Sequence, residues 1–203
     1  MNTLLPTSYL APVSYFTLML RAEKAVVESY EHFPKQTYRN RCSIYSPNGL
    51  QHLVIPLDGR KDKTLTKDIR ISYDRNWQLI HWRSLEAAYR SSPFFEFYED
   101  ELKPFYEKRT ELLIEFNFAL QKKIMELLDV KKEISFTSQY EKMPAGLADH
   151  RSIFSKKNIP SKSFPRYLQV FENKHGFIPD LSIADLLFNL GPKAKDHLLE
   201  LNS

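Results

Sequence analysis

Apolar and polar positions in the first seventy-five residues change period every few residues, and each change predicts a short element. Thr3 to Thr7 reads as a strand. Pro12 to Arg21 sets Val13, Phe16, Thr17 and Leu20 at helical spacing, and Ala25-Val26-Val27 reads as the next strand. Gln36 to Tyr45 and Gln51 to Leu57 look like two strands around Ser46-Pro47-Asn48-Gly49, whose Asn-Gly is a hairpin signal. A polar Lys/Asp/Thr linker at 60–68 leads to another β-rich piece, Ile69 to Tyr73.

From Asn76 the period becomes helical. Trp77, Ile80, His81, Leu85, Ala88 and Tyr89 recur at three- and four-residue steps. Ser92-Pro93 reads as an N-cap with proline at the first helical position, and Pro104 as the start of a longer helix with an apolar stripe from Phe105 to Leu128. Lys131 to Ser163 is polar, holds Pro144, Gly146 and Pro160, and reads as loop. Ser182 and Asp185 resemble a capping box, Ile183 to Leu190 is helical, and Gly191-Pro192 stops that helix before a last one. The pattern predicts one mixed α/β domain over residues 1–203. Its part at 1–75 is a mixed sheet of short strands with a crossover helix, and its part at 76–203 is mostly helical.

Composition narrows the chemistry. Hydrophobic residues at 42% and charged residues at 27% predict a folded core rather than a disordered chain. The net charge of +4 favours anionic partners (nucleotide, phosphate, nucleic acid or anionic lipid) without selecting one. An excess of 29 basic over 25 acidic residues is too small to argue for nucleic acid, so an anionic small molecule such as a nucleotide-sugar is the expected partner. One cysteine excludes an intramolecular disulfide and Cys-cluster zinc sites. The six histidines show no metal-ligand spacing, and five scattered glycines leave neither G-x-G-x-x-G nor a Walker loop. The apolar opening is broken by Pro6 and Pro12 and has no charged n-region, so it does not read as a signal peptide. No run reaches the length of a membrane span, and a cytoplasmic setting is expected. No cofactor is named by any motif, and the oligomeric state is left open.

The stretch KQTYRNRCSIYSPNG concentrates the candidate chemistry. On a strand, Thr37, Arg39, Arg41 and Ser43 share one face and Tyr38, Asn40, Cys42 and Ile44 the other. Two guanidiniums at alternate positions sit ~7 Å apart at the backbone, a spacing that grips one phosphate or two carboxylates. The alternative is a solvated face paired to surface carboxylates. Cys42 falls on the apolar face and reads as core. Lys35 and Tyr38 flank the arginines. His81 is either a general base or a histidine packed between Trp77 and Leu85. Glu28 and Glu31 follow the Val26-Val27 strand, where α/β folds meet ligands, and are placed to orient a histidine or pair with Arg39 and Arg41.

YRNRC, WQLIHWRSLEAAYRSSPFFEFYED and LSIADLLFNLGP, in this order, resemble the WbqC-like protein family from Tyr9 to about Leu190. The resemblance implies surface-polysaccharide (O-antigen-like) biosynthesis, with a transferase moving an aminoacyl or acyl group onto a nucleotide- or lipid-linked amino sugar. The alternative is a non-catalytic ligand-binding or adaptor protein of a glycan-assembly system. Asn40-Arg41 corresponds to the family's Asn-Arg pair and His81-Trp82 to its His-Trp pair. Tyr89, Ser92 and Phe94 fall in the matched piece that follows, while Asp185 and Asn189 lie in a closing motif read as structural. Longer members open with His-Gln-Pro where this chain has Leu5-Pro6-Thr7, a departure that leaves either no activity or His81 alone in that role. His81 and Glu31 are taken as the catalytic candidates and the other residues named as substrate-binding ones.

Overall fold

Strand β1, Asn2–Pro6, is buried on both faces from Thr3 onward because it lies inside a parallel sheet rather than at its edge. The computed structural model describes residues 1–59, 63–154 and 164–200. After β1 come helix α1 (Val13–Arg21) and strand β2 (Ala25–Glu28), a crossover that sets β2 parallel to β1 with Leu4 opposite Val26. Strands β3 (Arg41–Ser46) and β4 (Gly49–Val54) form the expected hairpin, Ser46 opposite Gly49. The two-residue strands β5 (Leu57–Asp58) and β6 (Arg70–Ile71) pair antiparallel. Helices α2 (Trp77–Tyr89), α3 (Phe95–Leu102) and α4 (Leu113–Leu127) follow, with a short 3₁₀ turn at Lys103–Tyr106. Strands β7 (Ile134–Phe136) and β8 (Leu147–Asp149) return the chain to the sheet. The one-turn helix α5 (Glu172–His175), then α6 (Ile183–Leu190) and α7 (Ala194–Glu200), close the described chain.

The mixed α/β class is observed, with a sheet that draws on more of the chain than the periodicity indicates. Its order is β7-β2-β1-β8, all parallel, so two of its four strands come from the segment that reads as polar loop. They are three residues each, too short to show a period. The expected strand at 36–45 starts only at Arg41, because residues 34–40 turn back on themselves with Gln36 at φ 58°. Pro104 opens a 3₁₀ turn and not the long helix, which begins at Leu113. Ser92 closes α2 by giving its hydroxyl to Tyr89 O at 2.6 Å instead of capping α3. Part of the polar linker, residues 60–62, and part of the expected loop, 155–163 with Pro160, lie outside the described residues. Among the described residues no helix is long and apolar enough to cross a membrane.

One buried apolar cluster runs from Leu5 to Leu198 and joins the sheet to every long helix. Helix α6 is central to it, with Ile183, Leu186, Leu187 and Phe188 all fully buried. Ser182 caps this helix by accepting from Ala184 N, but Asp185 completes no capping box. Its Oδ2 instead accepts from Tyr167 Oη at 2.6 Å and Gln169 Nε2 at 2.9 Å, tying the segment after residue 164 to the core. Gly191 ends α6 at φ 54°, directly against Phe94: a Cβ there would come within 2.5–2.7 Å of the Phe94 ring.

Two expected outcomes follow from this packing. Gly191→Ala combines a left-handed backbone with a ring clash, and is expected to cost about 2 kcal/mol, read as a fall of about 4–8 °C in melting temperature. Trimming the ring in a Phe94→Ala background should shrink that difference, and an undiminished loss would place the strain elsewhere. Burial pushes the Asp185 carboxyl up to about 6, against the hydrogen bonds it receives. The folded chain thus holds this proton more tightly than the unfolded one. The contribution favours the fold below about pH 4 and is lost as pH rises through about 6. Relative to Asp185→Asn, the wild type should gain on the order of 2–3 kcal/mol between pH 7 and pH 4. A stability difference that does not move with pH would refute the displaced titration.

Candidate anion-binding cleft

The chain leaves β1 toward β2 and β7 on one side and returns as β8 on the other. Crevices outside the carboxyl ends of strands at such a reversal are where open α/β sheets hold ligands. A cleft of about 600 Å³ lies beyond the ends of β2 and β8 in this molecule. Three segments build its walls. The turn after β2 contributes Glu31, Lys35, Gln36, Thr37 and Arg39. The β7–β8 loop contributes Tyr140 and Lys142, and the end of β8 contributes Asp149, Arg151 and Ser152.

Arg39 is only 2% exposed and is held on all sides. Its Nε and Nη2 donate to Glu31 Oε1 at 2.7 and 2.6 Å, and Nη2 also reaches Arg151 O at 3.2 Å. Asn117 on α4 fixes the backbone beneath it by donating to Arg39 O at 2.8 Å. Burial pushes the Glu31 carboxyl above the ordinary glutamate range, with Arg39 opposing the shift, and the same burial lowers the Arg39 guanidinium.

Arg151 is the second anchor. It forms a fork on Asp149, Nε to Oδ1 at 2.9 Å and Nη2 to Oδ2 at 2.6 Å, while Nη1 reaches back to Glu28 Oε2 at 2.8 Å. Glu28 Oε1 accepts in turn from Tyr30 N and Thr137 Oγ1, so β2, β8 and the start of the β7–β8 loop meet on one carboxylate. The fork holds the Asp149 carboxyl below the usual aspartate range and raises Arg151. The ring of Tyr140 lies 5.0 Å from the Arg151 guanidinium, a cation–π contact.

The other place where such folds bind phosphate, the N-terminus of the helix after β1, is filled by the protein itself. Asp180 accepts from both Ser14 N and Ser14 Oγ at 2.8 Å, and the turn before α1 carries Pro12 at the cap in place of a glycine loop. The chemistry of the cleft therefore comes from side chains. Among the described residues no group of three His, Cys, Asp or Glu side chains is placed to hold a metal ion.

The expected site residues divide. Glu31, Lys35 and Arg39 line the cleft, and Glu28 stands behind Arg151. The two-arginine face does not form: Arg39 precedes the strand and turns inward to Glu31, while Arg41 begins β3 opposite Val54, outside the cleft lining. Asn40 is structural, its Nδ2 donating to Ile55 O at 2.8 Å. Tyr38 is half-buried against the core and accepts at its backbone from Tyr9 N and Ser8 Oγ. Cys42 is fully buried, and burial raises its thiol.

His81 does not meet the arginines. It is 4% exposed, stacked on Tyr9 and edge-on to Trp77, with Nδ1 3.0 Å from Tyr9 Oη. Burial lowers its imidazole to about 4, so it is neutral and a weak base near pH 7. Trp82 packs on Phe95 and Tyr106, and Tyr89 Oη accepts from Tyr45 N. Ser92 closes α2, and Phe94 lies on Gly191. None of these five residues is in the cleft lining. Sequence reasoning missed Tyr140, Lys142, Asp149, Arg151 and Ser152. The signal available was Asp149-x-Arg151 directly after the short apolar pair Leu147-Ala148, a carboxylate and a guanidinium at the end of a strand.

Comparison with known proteins agrees with the motifs. The chain is 26% identical over 221 residues to the uncharacterized protein Rv1507c of Mycobacterium tuberculosis, covering 95% of this chain and 94% of that one. No solved structure matches it. Residues 7–154, from the end of β1 to just past Arg151, match the WbqC-like protein family, and the chain belongs to that family.

Proposed function

We propose that the cleft binds a phosphorylated amino sugar and that the protein transfers an acyl or aminoacyl group to its amine, in the biosynthesis of a surface polysaccharide. The observation that carries this reading is the convergence of Lys35, Lys142, Arg39 and Arg151 on one crevice around Glu31, a buried carboxylate with raised proton affinity. Family membership supplies the direction toward glycan assembly.

In this mechanism Lys35 and Lys142 hold the phosphate, the buried arginines set the walls around it, and the amine attacks the carbonyl carbon of an activated ester or thioester donor. The N–C bond forms and the bond from carbon to the donor's leaving oxygen or sulfur breaks. The departing amine proton goes to Glu31, whose Oε1 carries both Arg39 bonds and whose Oε2 is the oxygen for the proton. Burial supports such a role by bringing a carboxylate closer to neutral pH. His81 has no part in it. A second reading, a binding module without turnover, draws on one observation: Glu31 and Asp149, the carboxylates in the lining, are both already bonded to arginines.

Purified protein incubated with nucleotide-linked amino sugars and acyl or aminoacyl donors should yield an N-acylated sugar detectable by mass. Glu31→Gln keeps an acceptor for Arg39 and is expected to lower kcat about 100-fold or more with ligand binding retained. The acidic limb of the pH–rate profile should lie above the ordinary glutamate range of ~4.3. Ligand binding with no product from any donor would leave the binding-module reading and end the transferase one.

A further inference from the structure

Among the described residues, the eleven that line the cleft include no Leu, Ile, Val, Met or Phe. Beyond Pro34, the Tyr140 ring and the stems of polar side chains, that lining offers a carrier lipid's chain little to bury against, and prenyl recognition depends on burying hydrocarbon. The lining does contain one aromatic ring, Tyr140, which is 53% exposed while its neighbour Arg151 is locked by Asp149 and Glu28. Two residues further along the same loop stands Lys142, whose backbone carbonyl accepts from Arg151 Nη2 at 3.4 Å. That bond ties the loop to the end of β8. Lys35 reaches the cleft from a different segment, the turn after β2.

We infer that Tyr140 and Lys142 form a nucleotide subsite, in which the base stacks on the Tyr140 ring and the phosphates meet Lys142 and Lys35. The inference rests on the reading that the cleft holds a phosphorylated ligand, and it selects a soluble nucleotide over a lipid diphosphate as the carrier. An aromatic face beside cationic groups suits this chemistry, because stacking accepts any base while the cations read the phosphates. The Arg151 guanidinium against the ring holds it in place with no competing demand, since its hydrogen bonds go to Asp149, Glu28 and Lys142 O.

Calorimetric titration of the full chain with UDP, GDP, inorganic pyrophosphate and geranyl diphosphate tests the assignment. Both nucleotides should bind at least tenfold more tightly than pyrophosphate. Tyr140→Ala should bring them down to the pyrophosphate level, while Tyr140→Phe retains the preference. Lys142→Ala should weaken all four ligands by a similar factor. Equal binding of UDP and pyrophosphate, tighter binding of geranyl diphosphate, or an unaffected Tyr140→Ala would overturn the nucleotide subsite while leaving a phosphate-binding cleft. Absence of binding by all four would overturn both. Nucleotide binding of the expected pattern with no acyl transfer would uphold the subsite and defeat only the proposed reaction.

Discussion

Two arginines are buried at the carboxyl edge of the sheet, Arg39 matched by Glu31 in the same turn and Arg151 by its neighbour Asp149 and by Glu28 on a distant strand. Removing one partner of a buried ion pair leaves an uncompensated charge, at about 3–5 kcal/mol. Glu31 must therefore face Arg39, and Arg151 must sit between Glu28 and Asp149. These pairs draw the turn after β2, the end of β8 and the β7–β8 loop to one place. The cleft between those segments is a consequence of satisfying the charges.

The same accounting explains where the site is not. A helix N-terminus after the first strand is a ready anion site in many α/β proteins, yet here Asp180 closes it from a remote loop. Leu10 takes φ 39° in that turn where other folds place glycine. The positive groups of the cleft are instead lysine and arginine side chains at the ends of the strands that flank β1. The buried aromatic set around His81, with Tyr9, Tyr106, Trp77 and Trp82, then has a packing role, and its one imidazole stays neutral inside it.

Elements with a long period were legible: α2, α4 and α6 stand where their apolar residues recur, and the Asn-Gly hairpin closes as its turn chemistry requires. Glu31 and Arg39 were recognised as candidates and their pairing with each other was one of the readings offered, but the face that Arg39 was expected to share with Arg41 does not form. Alternation placed it beside Arg41 on an open strand, whereas Gln36 at positive φ bends the chain and sends it inward. In the family's second motif His81 takes the packed alternative, between Tyr9 and Trp77, while Trp82 packs on Phe95 and Tyr106, and Tyr89 and Phe94 lie against α6 and its C-terminal end. Position within a motif does not separate a packing role from a ligand-binding one.

Local sequence determined the helices, the hairpin, the mixed α/β class and the absence of a glycine-rich phosphate loop, because each depends on residues within a few positions of one another. Only the tertiary structure decided the rest. Strands β7 and β8 are three residues long and acquire their identity from neighbours more than a hundred residues away. The pairing of Arg151 with Glu28 spans 123 positions. No periodicity records a contact of that range, since what selects it is the cost of leaving a buried charge alone.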